Sequence, residues 1–160
     1  MAIQVGEKLP GGTLQVAGAG GIEGMTTDQL FAGRKVVLFA VPGAFTPTCS
    51  AKHLPGFVQH AAAIRAKGID AIVCLAVNDA FVMGAWGRDQ QVGSEVVMAA
   101  DGNGEWTRAL GLELDASRFG MGTRSQRFAM VVDDGVVRSL AVDVGGKLEV
   151  SSAEAILRSL

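Results

Sequence analysis

Thr46 and Cys49 lie three residues apart in Pro42-Gly43-Ala44-Phe45-Thr46-Pro47-Thr48-Cys49-Ser50, where a continuous apolar run gives way to a helix-like pattern. A cysteine in the first turn of a helix sits among unpaired backbone N–H groups at the positive end of the dipole. Both favour thiolate over thiol. The thiolate is the reactive form of sulfur, so the placement suits a nucleophile. The Thr46 hydroxyl, on the same turn, can reach the sulfur or whatever the sulfur attacks. Position alone leaves an ordinary buried cysteine beside a helix cap equally open.

Other polar residues offer weaker chemistry. Cys74 stands inside Ala71-Ile72-Val73-Cys74-Leu75-Ala76-Val77. It reads as a small hydrophobe of a central strand rather than a resolving thiol. A bridge to Cys49 needs Cα atoms within about 7 Å, which a strand core and a helix tip rarely allow. His53, four residues after Cys49, could share its helix face and suggest a Cys–His hydrolase. The sequence supplies no third orienting group, and a partly buried structural histidine is the preferred reading. Cys49, His53, His60 and Cys74 match no compact zinc spacing. Lys52 denies a Cys-x-x-Cys dithiol. Gly18-Ala19-Gly20-Gly21 lacks the Gly-Lys-Ser/Thr of a phosphate loop. Asp101-Gly102-Asn103-Gly104 starts like a calcium loop, but Trp106 and Leu112 fill the Gly and Glu positions, so it reads as a turn.

The elements that position these residues follow from patterning. Thr13 to Ala17 predicts a short strand, then a loop over 17–21. Thr26 with Gln29 predicts a capping box for a helix ending near Gly33. Val36 to Val41 is apolar on both faces, as in a central strand. Thr46 and Pro47 read as N-cap and first residue of a helix running to Gly68, with a kink near Pro55. Ile69 to Val77 predicts a second buried strand, Asp79 to Gln91 a helix, Val96 to Ala99 a third strand and Glu105 to Leu110 a short helix. Arg127 to Val132 and Val136 to Val142 form a hairpin about Asp133-Asp134-Gly135. Ser151 with Glu154 predicts a capping box for the last helix, to Leu160. The order β-α-β-α-β, hairpin, α gives an α/β fold with a mixed central sheet flanked by helices. It resembles a thioredoxin-like domain with an N-terminal extension.

Composition narrows the class. At 160 residues the chain suits one domain, residues 1–160. A net charge of −2, no basic run and no tyrosine give nucleic-acid binding little support. No apolar run approaches the roughly 20 residues of a membrane span. The first ten residues lack a basic stretch followed by an apolar one, so no leader is expected. Two cysteines exclude a disulfide scaffold, and the expected compartment is the cytoplasm.

Pro42-Gly43-Ala44-Phe45-Thr46-Pro47-Thr48-Cys49 resembles the peroxiredoxin active-site pattern Pro-x-x-x-Thr-x-x-Cys. Ser50-Ala51-Lys52-His53-Leu54-Pro55-Gly56-Phe57 is similar to the type II, peroxiredoxin-5-like group. The likeness continues through Val77 to Val82, Trp86-Gly87-Arg88 and Arg127 to Gly135. The resemblance implies a thiol peroxidase that reduces hydrogen peroxide and alkyl hydroperoxides, with no metal or organic cofactor. Cys49 would be the peroxidatic sulfur, oxidised to sulfenic acid. Thr46 would position the peroxide, Pro42 shield the thiolate, and Arg127 place a guanidinium beside both. The N–H groups of Thr48 and Cys49 would hold the second peroxide oxygen, with Gly43, Phe45 and Phe119 lining the substrate region. Arg124 and Arg88 are candidates for the surrounding shell, Arg88 also for a dimer contact. A subset of the group carries a second cysteine near the C-terminus. Gly146 to Ser152 has none here, which implies an external reductant, glutathione with glutaredoxin, with thioredoxin as the alternative. The resemblance also implies a homodimer, with Phe45, Phe81, Trp86 and Phe119 near its surface. A non-catalytic redox-sensing module is the rival class.

Overall fold

The computed structural model describes residues 1–160. In chain order it contains β1 (Thr13–Gly18), β2 (Gly21–Thr26), α1 (Thr27–Phe31), β3 (Lys35–Ala40), a widened helical turn (Cys49–His53), α2 (Leu54–Gln59), α3 (Ala61–Ala66), β4 (Ala71–Ala76), α4 (Ala80–Asp89) and β5 (Val97–Ala100). Then follow α5 (Glu105–Leu110), β6 (Glu113–Asp115), a 3-10 turn (Ser117–Phe119), β7 (Thr123–Ser125), β8 (Arg127–Asp133), β9 (Val136–Asp143) and α6 (Ala153–Ser159).

Seven strands form one sheet in the order β2-β1-β5-β4-β3-β8-β9, and β6 and β7 pair separately. β3, β4 and β5 are parallel; β1 and β8 flank them antiparallel. Alternation along the strands sorts the core onto two faces. Val37, Phe39, Ile72, Cys74, Ala129 and Val131 face a layer holding Cys49, Phe57, Ile64, Trp86 and Ile156. Val36, Leu38, Val73, Leu75, Phe128 and Met130 face Phe31, Trp106 and Leu110. β3 and β4 are buried on both sides, which is why their sequences are unbroken apolar runs.

Four departures from the sequence expectation matter. Residues 17–21 are a tight hairpin, Gly18 pairing with Gly21, and β2 was not expected. β2 is mostly exposed and therefore shows no apolar alternation. β6, the 3-10 turn and β7 are likewise surface elements with little apolar signal. The helix expected from Thr46 to Gly68 is divided in three. Its first turn widens at Cys49–His53, where the Leu54 N–H donates to the Cys49 carbonyl, just before Pro55, which has no N–H to give. A second break falls at His60. Finally, Ser152, not Ser151, caps the last helix, accepting from the Ala155 N–H. Ser151 donates its hydroxyl and N–H to Asp143 instead.

Candidate active site

The loop after β3 carries Pro42 to Thr48 to the carboxyl edge of the sheet, where open α/β sheets place their sites. Its shape is over-determined. Phe45 adopts φ +64°, a conformation that only surrounding contacts sustain in a side chain of this size. The Asn78 side-chain carbonyl accepts from the Ala44 N–H at 3.0 Å. Gly43 is tightly enclosed: a Cβ there would lie 3.2 Å from Met121 Cε and 3.2 Å from Thr46 Cγ2, so either side chain must give way to admit one. The Ser50 N–H donates to the Thr46 carbonyl at 2.9 Å, the first helical bond. Thr46 thus stands at the helix start as expected, but its hydroxyl does not cap. It donates to the Gly43 carbonyl at 2.7 Å, and its oxygen lone pairs stay free to accept. It makes no hydrogen bond to the sulfur.

Cys49 is completely buried beneath this loop. Arg127, the first residue of β8 and also buried, donates from Nη2 to Cys49 Sγ at 3.1 Å. Its Nη1 donates to His53 Nδ1 at 2.8 Å. Its Nε is buried and without a partner, a free donor within the same guanidinium. His53 Nε2 donates to the Ser151 carbonyl at 2.9 Å. An arginine can only donate and a carbonyl can only accept, so the two bonds together require the neutral Nε2–H tautomer. The ring packs between Phe39 and Phe57, with centroids at 5.0 and 5.6 Å. Burial first, and the neighbouring Arg127 charge with it, outweigh the Ser151 carbonyl and lower the His53 pKa from 6.5 to about 4. The imidazole is neutral at neutral pH.

This arrangement combines a sulfur at a helix start, a cation donating to it, an orphan guanidinium donor and a free hydroxyl acceptor. It can hold a thiolate, orient a small hydroxylic substrate and stabilise negative charge developing on an oxygen. It is not a Cys–His dyad, because Arg127 stands between the two side chains. No three His, Cys, Asp or Glu side chains gather as a metal site.

A model of the Redoxin family matches residues 4–157. Peroxiredoxin-2E, chloroplastic, from Arabidopsis thaliana is 52% identical over 163 residues, spanning 99% of this chain and 70% of that protein. The crystal structure of reduced Prx3 in complex with H2O2 from Vibrio vulnificus superposes with a TM-score of 0.93 at 52% identity, covering 98% of each chain. Peroxiredoxin 5 from Alvinella pompejana superposes at 0.86 with 36% identity, over 98% of this chain and 97% of that one. The chain belongs to the Redoxin family, and within it to the type II, peroxiredoxin-5-like peroxiredoxins. It has the thioredoxin-like peroxiredoxin fold and is a thiol peroxidase, acting on hydroperoxides with a thiol reductant.

In this peroxiredoxin, Pro42, Gly43, Thr46, Thr48, Cys49 and Arg127 gather at one end of the sheet. Arg124 lies beside them: its Nε donates to the Met121 carbonyl at 2.9 Å and its Nη1 to the Val77 carbonyl at 3.0 Å, strapping the Met121 turn to the end of β4. Its Nη1 lies 3.6 Å from where a Gly43 Cβ would stand. Phe45, Phe81 and Phe119 are exposed, at 52%, 78% and 72%. Trp86 departs from the expected surface position. It is fully buried, with Nε1 donating to Ser50 Oγ at 3.0 Å and its ring 6.5 Å from that of Phe45. Arg88 also departs. It is exposed and lines a surface hollow with Ala17, Gly84 and Met98, sharing no residue with the Cys49 shell. Sequence reasoning missed Asp143, read Ser151 only as a helix cap, and took His53 for a structural histidine.

Proposed function

We propose that Cys49 is the sulfur this peroxidase oxidises, and that glutathione with glutaredoxin returns it to the thiolate. The Cys49 thiolate attacks one oxygen of the hydroperoxide. The O–O bond breaks, and its electron pair leaves on the second oxygen, which takes a proton and departs as water or an alcohol. Cys49 is left as sulfenic acid. Thr46 accepts the substrate O–H, and Arg127 and the N–H groups of Thr48 and Cys49 face the charge developing on the leaving oxygen. Pro42, half-buried at the start of the site loop, is assigned the shielding of the thiolate from water. Gly43 and Phe45 belong to the site loop, and Met121, two residues after Phe119, packs against Gly43, which supports Gly43, Phe45 and Phe119 as the border of the entry. A glutathione sulfur then displaces water from the sulfenic acid to give a mixed disulfide. A second thiol attacks the glutathione sulfur and releases the Cys49 thiolate.

The observation that carries this reading is the 3.1 Å bond from Arg127 to the buried Cys49 sulfur. An external reductant is supported by Cys74. It lies in β4, fully buried, and burial first and then the charge of Cys49 push its pKa well above the ordinary thiol range. A thiol held protonated inside a sheet is a poor resolving partner.

The exposed rings of Phe45, Phe81 and Phe119 support a homodimer face at the site loops. A reducing, cytoplasmic location is proposed on cysteine usage alone, two cysteines in 160 residues. Intact mass after one equivalent of peroxide, with and without glutathione, tests the cycle on wild type, Cys49→Ser and Cys74→Ser. We expect a sulfenic acid or a glutathione adduct, both lost only in Cys49→Ser. An internal disulfide would overturn the external reductant. Unchanged peroxide consumption by Cys49→Ser would overturn the assignment of the sulfur. Recycling by thioredoxin but not by glutathione with glutaredoxin would replace the reductant, and light scattering that finds a concentration-independent monomer would remove the dimer.

A further inference from the structure

Arg127 reaches the sulfur with one nitrogen only, so the second nitrogen decides where the guanidinium sits. That nitrogen is held by His53 Nδ1, which can accept only because Nε2 carries the proton. Nε2 carries the proton because the Ser151 carbonyl is aimed at it from a loop 98 residues away in sequence. That carbonyl is fixed in turn by Asp143 at the end of β9. The Asp143 carboxylate accepts from the N–H groups of Glu149, Val150 and Ser151 at 2.9–3.1 Å and from the Ser151 hydroxyl at 2.6 Å. His53, Ser151 and Arg127 are buried, and the Arg127–His53, His53–Ser151 and Ser151–Asp143 bonds are buried with them, so these bonds are shielded from competing water.

We propose that His53 is a positioning residue for the thiol chemistry, holding Arg127 against Cys49 as a neutral hydrogen-bond acceptor, and that Asp143 sets its tautomer by knotting residues 149–151. The proposal rests on Cys49 being the reactive sulfur, but its readouts do not all depend on turnover. The groups facing the sulfur are Arg127 from β8, His53 from its own turn and Cys74 from β4. Asp143 faces His53 through Ser151.

Three measurements test it. In the wild-type protein at pH 7, long-range proton–nitrogen correlations of the His53 ring should show the Nε2–H tautomer. A cationic ring or the Nδ1–H tautomer overturns the proposal with no variant made. Two substitutions then separate the ring's two bonds. His53→Asn puts an amide oxygen near the place of Nδ1 and keeps an acceptor for Arg127. His53→Gln puts its amide near Nε2, so it keeps the Ser151 bond and loses the Arg127 one. We expect His53→Asn to keep the wild-type pH profile of iodoacetamide alkylation at Cys49 and a peroxide rate within about threefold. His53→Gln should move the profile to higher pH and slow the peroxide reaction roughly tenfold or more, since small misplacements of a catalytic group are costly. Equal behaviour of the two variants means that His53 only fills space, and overturns the proposal. Asp143→Asn, which turns an NH2 toward the loop's donors, should weaken the His53 Nε2–H signal and shift the alkylation profile in the same direction as His53→Gln. A wild-type profile there removes Asp143 from the proposal. Peroxide consumption surviving in Cys49→Ser would instead be a failure of the sulfur assignment, and the ring measurements would still stand or fall alone.

Discussion

Arg127 and Asp143 stand directly opposite each other on β8 and β9, and they form no ion pair. Facing residues of an antiparallel pair project from the same side of the sheet. A buried cation and a buried anion are therefore neighbours whose charges are directed elsewhere. Asp143 is occupied by the N–H groups and the hydroxyl of residues 149–151. Burial alone would raise its pKa, but these bonds, led by the Ser151 hydroxyl, bring it below the usual carboxylate value. Arg127 is left to bridge His53 and Cys49.

Arg127→Lys should therefore be a severe change despite keeping the charge. A single ammonium cannot reproduce a planar fork that donates to an imidazole and a sulfur at once. We expect the second-order rate with hydrogen peroxide to fall roughly 10²-fold, the scale for removing one preorganised donor at developing negative charge. Stopped-flow measurement of Cys49 oxidation decides it. A Lys variant within threefold of wild type would mean that charge alone suffices.

Gly43→Ala tests the loop sterically. The new methyl would meet Met121 Cε and Thr46 Cγ2 at 3.2 Å each, closer than ordinary van der Waals contact. Both are side-chain ends, so the fold should accommodate the methyl, with a melting temperature close to that of wild type. Thr46 moves with its methyl, and its hydroxyl loses the 2.7 Å bond to the Gly43 carbonyl. The expected result is a peroxide rate lower by about tenfold or more, since catalytic geometry is sensitive to shifts of this size. Equal loss of stability and activity would mean instead that the loop as a whole had collapsed.

Much of this site is legible in the sequence because its parts are local. Thr46 and Cys49 share one turn, and the apolar run of β3 shows where that turn begins. The Thr26–Gln29 capping box and the span of α5 also form as read, since caps and short amphipathic turns are local too. The support behind Arg127 is not local. His53 meets Arg127 across 74 residues and Ser151 across 98, and the Ser151 group that matters is a backbone carbonyl, which carries no side-chain signature. The spacing of His53 from Cys49 was the available signal; it offered a direct pair or a structural histidine, the latter preferred, and neither includes the guanidinium that the structure inserts between them. Trp86 looked like a surface aromatic, but Ser50 Oγ satisfies its Nε1, so burial leaves no orphan donor.

Asp101 offers a stability prediction away from the site. It ends the strand layer after β5 and is buried, with one carboxylate oxygen accepting from the Thr107 N–H and hydroxyl at 2.7 Å each. It thus serves the first turn of α5, whose N-cap position is a glycine without a side chain to do so. Asp101→Ala leaves those two donors buried and unpaired, at about 1–3 kcal/mol for a lost partner of this kind. Urea unfolding should register the loss with peroxidase activity per folded molecule unchanged. A variant as stable as wild type would refute the role given to the carboxylate.

Acid should destabilise the fold through His53. The folded protein holds His53 neutral down to about pH 4, whereas the unfolded chain protonates it near 6.5. Between those values the unfolded state binds more protons, so stability rises with pH across the window and is lost as pH falls through it. A difference of this size corresponds to about 3 kcal/mol at full extent. Asp143, Asp115 and Glu154 have lowered values and act only below the ordinary carboxylate range, so they add little above pH 5. Urea midpoints measured from pH 4 to pH 7 should therefore climb steeply in wild type. In His53→Asn, which has nothing at position 53 to titrate, the slope should flatten. If wild type and His53→Asn run parallel across the window, the imidazole is not held neutral by the fold, and the acceptor role assigned to it fails as well.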